Sequence, residues 1–182
     1  MYKRQGRVSQ IVKSINGGKR EIKIVAVDAD SYADNSVRAS IAKDGGIHFI
    51  EALVVSGSSS NFDQAGYRAF TAKYGDTFNS NKTHITCEEL VALFGDRRIN
   101  FVKIDIEGAE FDIILNNNHW LHRADNLAME VHSEFGNPSA IVDALRQLGF
   151  AVDWKGNHRK DVPVENADFI YGSRNGLLSA PK

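Results

Sequence analysis

Cysteine is almost absent from this sequence: Cys87 stands alone in 182 residues. A lone cysteine forms no intramolecular disulfide and no thiolate zinc site, and it suits a reducing compartment. Long apolar runs are missing too. None approaches the roughly 18 residues of a membrane span. The basic opening Met1-Tyr2-Lys3-Arg4-Gln5-Gly6 is not followed by an apolar signal core. These absences read as a cytoplasmic protein. An excess of one charge is also lacking, with 22 basic residues, 23 acidic and a formal net charge of −1. The basic residues are scattered, apart from short pairs such as Arg97-Arg98. Such a balance sets up no field for a polyanion, so neither nucleic acid nor membrane is an expected partner.

The chain is long enough for a real core, since a chain near 150 residues buries about 70% of its unfolded surface. A single domain over 1–182 is expected, with no internal repeat and no linker. Val8, Ile11, Val12 and Ile15 form a helix stripe that Gly17-Gly18 would stop. The β-branched run at 22–27 reads as a buried strand ending in Asp28-Ala29-Asp30. A helix over 33–43 and a strand over 47–55 follow. Residues 56–83 are polar with scattered aromatics, a long irregular segment of the kind that often carries function. Thr86 begins a capping box with Glu89 ahead of a helix over 87–94. Strands are expected over 99–104 and 127–131, with a helix over 108–115 between them. Asn137 and Pro138 start a helix that Gly149 stops. Two closing strands, over 150–154 and 167–171, could pair antiparallel.

Alternating strands and helices imply an α/β fold, a mostly parallel sheet with helices on both faces. Ligands of such sheets sit beyond the C-terminal strand ends. Three strand ends carry suitable chemistry: Asp28, Asp105, and Glu130 with His132. A carboxylate at a strand end can accept both hydroxyls of a ribose. Asp30 is its neighbouring candidate, or else starts a turn or caps a helix. Two acids at one junction, Asp105 and Glu107, are costly unless used or paired, and Lys103 is within reach to pair with one of them. Glu110 falls in a first helical turn, where the helix dipole accounts for it. Gly108 allows a sharp turn or a close ligand approach. The remaining histidines, His48, His84, His119, His122 and His158, read as surface or loop residues. His119-Trp120-Leu121-His122 sits in an Asn-rich loop, and no metal-ligand set with convincing spacing is found, so no metal is expected.

The segment Phe101-Val102-Lys103-Ile104-Asp105-Ile106-Glu107-Gly108-Ala109-Glu110-Phe111 resembles the signature of the FkbM methyltransferases. Thr86-Cys87-Glu88-Glu89-Leu90 and Ala128-Met129-Glu130-Val131-His132 are similar to two further family segments, in the same order and spacing. Val25-Ala26-Val27-Asp28-Ala29-Asp30 is similar to the family's second strand. The resemblance implies a Rossmann-like class I methyltransferase domain using S-adenosylmethionine. It implies a hydroxyl acceptor, a small molecule or sugar, with 56–83 helping to shape its pocket. Asp28, Asp30, Gly6 and Asp105 are then the cofactor-binding candidates. His132, Asp105 and Glu107 are the catalytic candidates, with His132 as base, Glu130 orienting it and Asp105 the alternative base.

Family members begin with a strand ending Asp-hydrophobic-Gly-Ala, and Gly6-Arg7-Val8-Ser9 is similar to the part just after that turn. The first strand is therefore expected to lie upstream of Met1 and to be missing here. Without its glycine turn, no backbone amides there would cradle the methionine part of the cofactor. A second reading follows: a truncated, inactive domain acting as a binding module or remnant. Association of two chains into a homodimer through an open sheet edge is a further expectation.

Overall fold

The computed structural model describes residues 23–28, 47–57, 83–106, 108–157 and 161–176. The expected helices over 8–15 and 33–43 lie outside them, as does nearly all of 56–83. The chain divides into two compact units, Met1–Leu53 with Asn81–His84, and Val54–Ser80 with Ile85–Lys182. In the first, β1 (Ile24–Asp28) pairs in parallel with β2 (Ile47–Glu51), Ile24 opposite Ile47 and Asp28 opposite Glu51. A parallel pair needs a crossover of a dozen or more residues, and 29–46 provide that length. The strand expected over 47–55 is broken at Ala52, which is 2% exposed, and resumes as β3 (Leu53–Val55). β4 spans His84–Thr86.

The second unit holds the larger sheet and the main core. Its first helix, α1 (Cys87–Ala92), opens on the capping box the sequence announces. Thr86 Oγ1 accepts from the Glu89 amide at 3.1 Å, and Glu89 Oε2 accepts from the Thr86 amide at 2.7 Å. These bonds satisfy two of the orphan donors of a helix start. β5 (Val102–Ile104) is shorter than expected, because Ile99 contributes only a bridge to Ala124. α2 (Glu110–Leu115) starts two residues later than expected. His119–Arg123 form a 3-10 turn rather than a loop, held by buried Trp120 and Leu121.

β6 (Asn126–Glu130) buries Leu127 and Met129 by alternation. α3 (Pro138–Gln147) begins with Asn137 Oδ1 accepting from the Ser139 amide at 2.9 Å. It buries Ile141, Val142 and Leu145. Its end is a Schellman motif: Gly149 at φ +84° lets its own amide reach Arg146 O and the Phe150 amide reach Leu145 O. β7 (Ala151–Lys155) and β8 (Phe169–Ser173) complete the sheet in the order β5-β6-β8-β7.

The sheet is mixed, a correction to the mostly parallel expectation. β5 and β6 are parallel, whereas β6–β8 and β7–β8 are antiparallel. The reason is topological: β7 and β8 follow each other as the expected antiparallel pair, and β8 returns between β6 and β7. Arg174, just past β8, holds this return. Its guanidinium donates to Leu121 O, Ala124 O and Leu148 O and lies 4.2 Å from the Phe150 ring centroid. No described helix is long and apolar enough to cross a membrane.

Cys87 is 5% exposed, and burial, with Glu88 and then Asp112 adding to it, pushes its thiol up to about 12. The thiolate is the reactive form. At pH ~8 the folded chain should therefore resist a thiol-labelling reagent, while the urea-unfolded chain reacts fully. Because the folded value exceeds the unfolded one, this stabilisation is complete below about pH 8.5 and is lost as pH climbs towards the folded value. Rapid labelling of folded protein would contradict the burial.

Candidate functional site

The site begins with strand register. Ile104 of β5 stands opposite Met129 of β6 in a parallel pair. They are 5% and 1% exposed, and they anchor the strands in the core. One step further along each strand come Asp105 and Glu130. His132 follows after buried Val131, whose amide donates to Asp168 O at 2.8 Å. Asp105, Glu130 and His132 each offer one ligand atom within 4.8 Å of the others, and all three are half-buried. Parallel strand ends of this kind are where α/β sheets present their chemistry.

Behind this group lies Glu110, the first residue of α2. The helix dipole was its expected explanation, and that is corrected here. Glu110 is 0% exposed. Its Oε2 accepts from the Gly108 amide at 2.8 Å. Its Oε1 accepts from the His132 amide at 2.8 Å and lies 2.9 Å from His132 Nδ1. An ionised carboxylate only accepts. A carboxylate oxygen at this distance favours the tautomer with the hydrogen on Nδ1, which leaves Nε2 as the basic nitrogen of the ring. A signal for this was present in the sequence. Glu110 shares its helical stripe with Ile113 and Ile114, both buried, and a charge on an apolar stripe calls for a partner.

Two further expectations concern the same junction. Lys103 Nζ lies 2.9 Å from Asp105 Oδ2, which is the pairing foreseen for one of these acids. The two side chains are 41% and 29% exposed, so the pair is worth less than about 1 kcal/mol and does not hold the fold together. Gly108 adopts φ +106°, and a methyl group there would lie 2.4 Å from Phe135 Cδ2. A turn and an aromatic ring account for this glycine.

Asp28 closes β1 in the other unit. Gly6, Asp30, Glu107 and His158 lie outside the described residues. His48 and His84 lie in strands, and His119 and His122 are exposed on the 3-10 turn. Sequence spacing disclosed no metal-ligand set because the three gathered residues span two strands and a crossover. Register alone makes them neighbours. The arrangement can orient a hydroxyl, take up its proton at Nε2, or hold a cation.

Glu110→Ala would strand the His132 amide and ring, each worth about 1–3 kcal/mol when left unpaired in a buried place. The substitution is expected to lower the unfolding free energy in urea by roughly 2–4 kcal/mol. A change under ~0.5 kcal/mol would show that the carboxylate carries no such role.

Comparison with known proteins follows the same line. A family model described as the methyltransferase FkbM domain matches residues 8–152. "Methyltransferase 1" of Beauveria bassiana (strain ARSEF 2860) is 35% identical over 65 residues, 32% of this chain and 26% of that protein. The chain thus matches only about a quarter of the length of that curated relative.

Proposed function

Since the chain belongs to the FkbM methyltransferase domain family, we propose that it transfers a methyl group from S-adenosylmethionine to a hydroxyl of a small molecule or sugar. In this reading, residues 1–182 act as one Rossmann-like domain. The observation that carries it is the meeting of Asp105, Glu130 and His132 within 4.8 Å at the ends of β5 and β6. An alcohol must lose its proton as it attacks carbon, and this is a group suited to receive one.

The donor chemistry fits the cofactor. Asp28 ends a parallel strand, where a carboxylate suits the paired hydroxyls of a ribose. S-adenosylmethionine supplies an electrophilic methyl on a sulfonium, and the protein's task is orientation and proton handling. With that cofactor bound, its sulfonium would supply the methyl group, and His132 Nε2 would take up the proton that the acceptor hydroxyl gives up. Glu110 holds the imidazole in the tautomer that leaves Nε2 basic. Asp105 and Glu130 flank the acceptor and favour the charge that builds on the ring.

Calorimetric titration with S-adenosylhomocysteine tests this. One saturable site in the micromolar range is expected, ~−8 kcal/mol at 1 μM. Asp28→Ala should weaken it at least tenfold, and Glu110→Gln much less. His132→Ala should leave that affinity intact and lower methyl transfer about 100-fold or more. No heat from a folded sample would overturn the reading, and equal losses in Asp28→Ala and Glu110→Gln would overturn the ribose assignment.

A further inference from the structure

The geometry points to a divalent-cation site built from Asp105, Glu130 and His132, with Glu110 as the carboxylate behind the imidazole. The first support is distance. The three ligand atoms lie within 4.8 Å of one another. Ligands about 2.1 Å from a common ion lie roughly 3–4 Å apart. Closing on a cation therefore asks for shifts of about an ångström, within reach of half-buried side chains at strand ends.

The second support is independent of that spacing. Metal-bound histidines usually give their other ring N–H to a carboxylate, which fixes the tautomer and raises the basicity of the ligating nitrogen. Glu110 Oε1 stands 2.9 Å from His132 Nδ1, and its side chain is fully buried. The same oxygen accepts from the His132 amide at 2.8 Å. Ring and backbone are held together, and the tautomer this contact favours leaves the lone pair of Nε2 as the one that would coordinate. The same buried carboxylate thus holds the Gly108 amide, the His132 amide and the imidazole, so the ring is positioned from a fixed point.

Charge points the same way. Asp105 and Glu130 bring two carboxylates together, and Lys103 meets Asp105 from a side chain that is 41% exposed. Lys103 can swing into water when a cation takes its place, or remain on Oδ2 while the other oxygen coordinates. Two carboxylates and one imidazole suit Mn2+ or a similar first-row divalent ion, and they do not favour the ions that select thiolate ligands. Three protein ligands leave positions for water or for an oxygen of a bound molecule.

Cation binding stands apart from the methyl-transfer reading, but its role rests on that reading. A cation here would bind the acceptor hydroxyl and lower its pKa. The proton would then leave to solvent, and His132 would serve as a ligand instead of the base.

The test is titration of the chelator-treated protein with Mn2+ alone, followed by electron paramagnetic resonance of the free ion. One saturable site per chain is expected. Asp105→Asn, Glu130→Gln and His132→Ala should each weaken it at least tenfold, and Glu110→Gln should weaken it 10–100-fold. Asp153→Asn, exposed on β7, should leave it unchanged. Circular dichroism identifies any variant that fails to fold. No saturable binding by the folded wild type, or binding that survives all four substitutions, would overturn the site. Parallel titration with S-adenosylhomocysteine separates the two proposals. Mn2+ binding without S-adenosylhomocysteine binding would sustain the cation site and remove the methyl-transfer reading. The reverse would remove the cation site alone.

Discussion

The site depends on a carboxylate that should not be buried. An ionised side chain taken out of water costs several kcal/mol unless its oxygens are satisfied. Glu110, at 0% exposure, meets that demand with the Gly108 amide on one oxygen and the His132 amide and ring on the other. These bonds tie the start of α2 to the chain leaving β6. Gly108 must turn to φ +106° for its amide to reach a side chain two residues on, and Phe135 packs where a Cβ would stand. The turn after β5, the exit from β6 and the aim of His132 are therefore fixed together.

Other buried polar groups in the described residues serve the fold alone. Thr86 caps α1, and Ser173 Oγ donates to Asn126 Oδ1 at 2.7 Å across β6 and β8. Cys87 is shut away in the core with its thiol held protonated. Glu110 differs from these because one of its oxygens serves a histidine that lies beside two more acids.

Local rules were legible in the sequence because they act within a few residues. The Thr86–Glu89 box, the Asn137-Pro138 start and the Gly149 stop each require only short spacing and known backbone preferences. Asp105 and Glu130 were legible as acids at the ends of apolar runs, with His132 just beyond. Their meeting was not, since it comes from the register that sets Ile104 beside Met129. Strand direction was hidden too. Periodicity shows a strand but not which neighbour it returns to, and β8 returned antiparallel between β6 and β7. Glu110 was read by its position in a helical turn, while its burial is a tertiary fact that only the stripe with Ile113 and Ile114 hinted at.

The central claim is that Glu110 holds His132 in one tautomer. The direct measurement is a long-range 1H–15N correlation of the His132 ring in metal-free protein at a pH where the imidazole is neutral, with Glu110→Gln for comparison. The expected result is a proton fixed on Nδ1, an unprotonated Nε2, and loss of that preference in the variant. A ring protonated on Nε2, or one averaging between tautomers as a free histidine does, would contradict the claim and with it the geometry assigned to the site.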